Sequence, residues 1–297
     1  MKKQMQGMIY VMLAAVLFGV MPLWAVNVYD NGGNPVFLSF CRFALSLPLL
    51  YILDRKLCPH HERTAPDRKF FLVCITYVLT PSLLFISYTK IASGLATTVH
   101  FIYPAIVLLL CRAMFRQSIR PVKYFCCFLC IAGVALFCTV GEQVDGLGLF
   151  LALLSAITYA GYVAYLPVSR VQETLAPFQL TLRLNLGGVV VLAILNTLMG
   201  TWAFNLTLQG WLYTLLLSWG TAVGATMLFQ RGVQLCGAQN AAIFSVLEPL
   251  TSVVCGILFL RESCSVQIIL GIILILAAVF LLSVCDFRGK QREDAPA

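Results

Sequence analysis

Long apolar runs separated by short polar breaks define the chain. Ten such runs stand out, at about 7–28, 35–53, 70–90, 92–111, 123–140, 146–168, 177–199, 208–229, 237–260 and 266–285. Each approaches the ~20 residues that a bilayer-spanning helix requires. The breaks carry turn and cap signals: "DNGGNP" at Asp30–Pro35, "GEQVDG" at Gly141–Gly146 and "GTWAFN" at Gly200–Asn205. The pattern predicts an all-α integral membrane protein of ten transmembrane helices, with little chain left for a soluble domain. Composition agrees: 60% of the 297 residues are hydrophobic and 11% are charged, against about 25% charged in a soluble domain. Lys2 and Lys3 resemble the start of a signal peptide. The apolar run behind them is too long for one, and no small-residue cleavage site follows, so the first span reads as a retained helix.

The net charge of +8 is not a nucleic-acid footprint, because the basic residues sit in alternate loops. With the N-terminus cytoplasmic, sixteen Lys and Arg face inward: Lys2, Lys3, Arg55, Lys56, Arg63, Arg68, Lys69, Arg112, Arg116, Arg120, Lys123, Arg170, Arg231, Arg288, Lys290 and Arg292. Only Lys90 and Arg261 face outward. The positive-inside rule selects that orientation, and an even span count then places the C-terminus inside as well. The twelve cysteines lie mostly within spans and read as small packing residues, "CCFLC" (Cys126, Cys127, Cys130) included. "CPHH" (Cys58, His60, His61) lacks a second ligand pair and reads as a solvated loop rather than a metal site.

The chain repeats itself. Leu95–Ser118 aligns with Asn240–Ser263 at an offset of 145, so that His100 meets Ser245, Tyr103 meets Glu248 and Pro104 meets Pro249. Earlier in each half the offset is 141: Phe18-Gly19 meets Tyr159-Ala160, Trp24 meets Tyr165, and Arg42 meets Arg183. Residues 1–142 and 143–287 thus form two five-span units, followed by a cytoplasmic tail at 288–297. An odd span count inverts the second unit relative to the first, the arrangement of many secondary transporters.

Two five-helix halves, each with a Pro-bearing fourth helix followed by "FRQS" or "LRES", resemble the drug/metabolite transporter superfamily. Within it the chain is similar to ten-helix EamA-domain permeases. The supporting motifs are Glu248-Pro249, Leu260–Glu262 and "GVAL" at Gly133–Leu136. The resemblance implies a bacterial inner-membrane carrier that takes up or, more often, exports small metabolites or drugs without ATP hydrolysis. One departure is Gln117, where family members often carry Glu. The residues agree on the energy source. There is no G-x-x-x-x-G-K-[ST] phosphate loop, since the one Gly-Lys pair, Gly289-Lys290, lies in the tail, and no cofactor motif or hydrolase signature is found.

Glu248 is the leading candidate for the chemistry. It stands about eleven residues into its span, roughly 16 Å deep at ~1.5 Å per residue. A carboxylate at that depth is a functional-site hypothesis by default, here for a substrate amine or a coupling proton or cation. Ala241, Ser245, Glu248, Ser252 and Cys255 share one helix face, and His100 and Tyr103 occupy the matching stripe in the first half. His100 can titrate or bridge helices; Tyr103 offers a hydroxyl. Pro104 and Pro249 each remove a backbone donor and suggest kinks. Arg42 and Arg183 lie about two turns inside their spans, where they bind a carboxylate, pair with Glu248, or snorkel to the interface. Two arginines against one glutamate favour anionic or zwitterionic substrates such as amino acids. Among the aromatics, Trp24 and Tyr165 are the best candidates for a box around an apolar or cationic group. Gly220 and Gly224 form G-x-x-x-G, suited to close packing or homodimerisation. A secondary transporter of small organic molecules leads; a channel or uncoupled facilitator is the alternative. A seven-span receptor and an intramembrane enzyme lack support.

Overall fold

A computed structural model describes residues 2–57, 68–103, 105–107, 109–110, 121–138, 144–169, 177–236, 244–245, 247–262 and 265–293. These residues are helical with short connections, and no strand occurs among them. Six stretches are long and apolar enough to cross a membrane: 3–30, 35–56, 70–87, 146–165, 178–199 and 208–229. Four shorter apolar helices cover the other expected spans, at Ser93–Val107, Tyr124–Gly133, Leu247–Phe259 and Ile269–Ala278.

The helices in chain order are α1 (Lys2–Asp30), α2 (Pro35–Ala44), α3 (Leu47–Leu57), α4 (Arg68–Ser87), α5 (Ser93–His100), α6 (Pro121–Cys138), α7 (Gly146–Ser169), α8 (Pro177–Met199), α9 (Leu208–Leu217), a π-helix (Ser218–Ala225), α10 (Thr226–Cys236), α11 (Leu247–Phe259) and α12 (Val266–Glu293). Their packing is two-fold pseudo-symmetric. Helix α4 lies along α7 as α1 lies along α10. Helix α1 packs on α11 as α7 packs on α5. Three pairs join equivalent helices of the two halves: α2 with α8, α5 with α11, and α6 with α12. The pairing is the one expected where two halves repeat the same helix order.

Glycines set several of the close approaches. A Cβ on Gly232 would lie 2.9 Å from the Gly7 carbonyl, so α1 and α10 touch almost backbone to backbone. A Cβ on Gly19 would meet the Glu248 carbonyl and Thr251 Cβ at 2.5 Å, so α1 passes directly over the start of α11. With lipid as solvent, such contacts gain van der Waals packing that larger side chains would block. Gly220 and Gly224 serve the same end within the chain, facing Trp24 and Leu17 of α1.

Both fourth-position spans are interrupted at equivalent places. Helix α5 ends at His100, a turn follows at Phe101 and Ile102, and helical conformation resumes at Tyr103. In the second half a turn at Ser245 precedes α11, which starts at Leu247. Pro249 therefore sits in the first turn of α11, where its missing N–H leaves no helical bond unmade. This corrects the expectation of a kink within a continuous helix. Pro104, Gln117, Ala241, the "CPHH" loop and the basic residues Arg63, Arg112, Arg116, Arg120 and Arg170 lie outside the described residues.

Candidate functional site

The interrupted helices bring four of the sequence candidates, Glu248, His100, Tyr103 and Arg42, to the bundle interior. Glu248 stands in the first turn of α11, where an acidic side chain suits the positive end of the helix dipole. It is partly exposed, and no hydrogen bond reaches its carboxylate among the described residues. Its oxygens are not among the buried atoms left unsatisfied, so the carboxylate opens onto accessible space. The Tyr88, Tyr103 and Tyr159 side chains and the Arg42 guanidinium lie within its electrostatic reach.

His100 is buried at the end of α5, and its Nδ1 lies 2.9 Å from Ser155 Oγ on α7. Ser155 Oγ is also 2.6 Å from the Ala152 carbonyl. Assigning the hydroxyl proton to that carbonyl makes His100 Nδ1 the donor and leaves Nε2 as an acceptor. Tyr103 packs edge-on against Tyr159, with ring centroids 4.6 Å apart, and both rings flank His100, at 5.8 and 5.5 Å. From Tyr159 the aromatic surface continues to Tyr162 (5.8 Å), Tyr77 (5.2 Å) and Phe43 (5.7 Å). The wall thus runs from α5 across α7 and α4 to α2.

Arg42 occupies the far end of that wall. It is buried within α2, and its guanidinium lies 5.6 Å from the Phe43 ring centroid. Helix α2 stops two residues later: a turn at Leu45 and Ser46 separates it from α3, and Pro48 removes the donor that would have continued the ladder. The π-helix closes on this break. Ser218 Oγ donates to the Arg42 carbonyl at 2.8 Å, and Trp219 Nε1 to the Leu45 carbonyl at 3.0 Å. Arg42 Nε in turn donates to Thr221 Oγ1 at 3.3 Å. On the other side Asn185 Nδ2 donates to Ser46 Oγ at 2.8 Å. The break in the second span and the π-helix in the eighth therefore form one unit around Arg42. Irregular backbone of this kind is tolerated at membrane depth where it is buried in protein or lines a cavity.

The remaining candidates make other contacts, and Glu248 N–H donates to the Ser245 carbonyl at 2.9 Å. Arg183 sits on the continuous helix α8 and is partly exposed. Trp24 packs against Gly220, where a Cβ would come within 2.9 Å of its ring. Tyr165 packs at the edge of the Phe43–Val78–Leu184 core. The ring-to-ring contacts of the wall are made by Tyr77, Tyr103, Tyr159 and Tyr162. Ser245 is buried at the turn before α11. Thr221, Ser155 and Asn185 were not singled out from the sequence. A polar residue within an apolar span was the signal available for each.

Comparison with known proteins places this architecture. Residues 5–139 and again 146–284 match the EamA-like transporter family. The chain is 25% identical to a protein of Synechocystis sp. named "Uncharacterized transporter sll1319", over 94% of this chain and 93% of that one. It is 24% identical to "Uncharacterized transporter YcbK" of Bacillus subtilis, over 89% and 88%. A solved crystal structure shares the fold at a TM-score of 0.65 and 12% identity, covering 94% of this chain and 98% of that one. Two family matches in tandem span nearly the whole sequence, and the protein belongs to the EamA-like transporter family of multi-pass membrane transporters.

Proposed function

We propose that the protein is a secondary active transporter that moves a small zwitterionic metabolite, of the amino-acid type, by alternating access between its two halves. Opposite charges beside an aromatic wall support this reading. Arg42 is oriented to receive a carboxylate, and Glu248 an amine or a proton. The Tyr103, Tyr159, Tyr162 and Tyr77 rings provide an apolar and cation-tolerant surface beside them. The observation that carries it is the Glu248 carboxylate, within reach of Arg42 yet without a protein hydrogen bond among the described residues. An interior carboxylate in that state gains a partner when substrate or proton arrives.

Coupling is to a proton or by exchange, and the direction is export, as the family resemblance implies. The positive-inside count supports cytoplasmic termini, and the bacterial relatives support an inner-membrane location. Thermal unfolding of the purified protein against a metabolite library tests the binding claim. Zwitterions raise the transition temperature, whereas their amides and N-acetyl derivatives do not. Glu248→Gln abolishes the shift. An undiminished shift in Glu248→Gln would refute the role assigned to the carboxylate.

A further inference from the structure

Helix α5 begins without a cap of its own. Its N-cap is Ala92, which offers no side-chain acceptor. Alanine is among the poorest residues there, because the first amides of a helix need acceptors. The acceptor comes from the other half of the molecule. Glu262, just past the end of α11, receives Ser93 N–H on Oε1 at 2.6 Å and Gly94 N–H on Oε2 at 3.3 Å. Both are charge-assisted bonds.

The chain is bent to place that carboxylate. Arg261 adopts φ 55°, in the left-handed region, and Glu262 N–H bonds back to the Gly256 carbonyl at 3.0 Å. Position 256 has no Cβ, and one built there would collide with the Glu262 carboxylate. Below this contact the two helices stay sealed. A Cβ on Gly94 would lie 2.8 Å from Val253 Cα. Ser252 Oγ donates to Thr97 Oγ1 at 3.1 Å, and Thr97 Oγ1 lies 3.2 Å from the Tyr88 hydroxyl. One further turn along α5 and α11 come His100 and Glu248.

Closure also has a cost. Ser93 Oγ is buried with no hydrogen-bond partner, and Arg261 holds a backbone conformation that non-glycine residues rarely adopt. Contacts that close tightly while leaving a polar group orphaned suit an element that must reopen.

We propose that Glu262 is a positioning residue that latches the α5–α11 seam over the site, closing the face to which the basic-residue distribution assigns the exterior. Releasing Ser93 and Gly94 is then the step that opens the site to that face. The latch rests on the transport reading for its purpose, but its test needs no substrate. Cys255, buried on α11 beneath the latch, is the native reporter. Full-length protein in right-side-out and inverted vesicles is treated with a membrane-impermeant maleimide, and modification is read residue by residue by peptide mass spectrometry. Glu262→Ala and, independently, Gly256→Ala raise the Cys255 labelling rate from the exterior by about tenfold, the scale of one lost charge-assisted bond. Ser93→Ala, which removes the orphaned hydroxyl, slows it. Cys74 and Cys126, buried elsewhere, stay unreactive in all three. A rise from the interior face alone would keep the latch and reverse the orientation. Unchanged Cys255 labelling on both faces, or a rise at all three cysteines together, would overturn the proposal.

Discussion

Arg42 and Arg183 occupy equivalent positions in the two repeats, yet their surroundings differ. Arg42 ends a broken helix, is buried, and is held by a hydroxyl from the π-helix. Arg183 rides on an uninterrupted helix of 23 residues and is partly exposed. The difference shows how two repeated halves can surround equivalent residues differently. Duplication supplies two arginines, and local backbone breaks decide which one faces the wall. In the first half the break falls after Arg42; in the second it moves one span on, to the π-helix that grips Arg42.

Substitution at the two arginines should therefore give unequal results. Arg42→Ala removes the proposed carboxylate partner from an interior site. Losing one member of a buried, hydrogen-bonded charge contact costs about 2–5 kcal/mol, so transport into proteoliposomes falls on the order of a hundredfold. Arg183→Ala changes it by less than about threefold, as befits a partly exposed charge. Equal losses at both positions would mean that the two halves contribute alike.

Thr221→Val tests the grip rather than the charge. It keeps the size of the side chain and removes the acceptor for Arg42 Nε. The expected result is about a tenfold rise in KM with little change in maximal rate, near the lower end of a hydrogen bond to a charged group. A fall in rate at unchanged KM would point instead to a role in the conformational step.

The smallest effects fall on packing, at Gly19 and its counterpart Ala160. Gly19→Ala must push α1 away from the Glu248 backbone and lowers thermal stability by about 1–2 kcal/mol, the usual cost of overpacking. Ala160→Gly costs about 1 kcal/mol through helix propensity alone. Unfolding of the purified variants measures both. A neutral Gly19→Ala would show that α1 and α11 are not tightly apposed beside the site.

Much of this was legible in the sequence. Apolar run length marked the helices, six of which are long enough to cross a membrane, because a bilayer admits little but helices. The repeat offsets paired Tyr103 with Glu248 and Arg42 with Arg183. A lone acid amid apolar residues marked Glu248 by its cost. Helix rotation was not legible, and it decides which aromatic side chains meet. The repeat match pointed to Trp24, Tyr159 and Tyr165, and of these Tyr159 makes ring contacts within the wall, beside Tyr77 and Tyr162. The break after Arg42 had a visible sign in Pro48. The π-helix had a weaker one in the small residues of "SWGTAVGA". Pro249 suggested a kink, and the fold uses it to begin a helix. Glu262 stood out only as part of "LRES"; its role depends on α5 lacking a cap, which emerges when the two halves meet.

Counterflow tests the central claim most directly. Proteoliposomes are preloaded with an unlabelled zwitterion that stabilises the protein, and uptake of the labelled compound is followed. Trans-stimulated accumulation in the wild type, absent in Glu248→Gln and in Arg42→Ala, is the result this account predicts. Flux that ignores internal substrate, or counterflow that survives both substitutions, would contradict it.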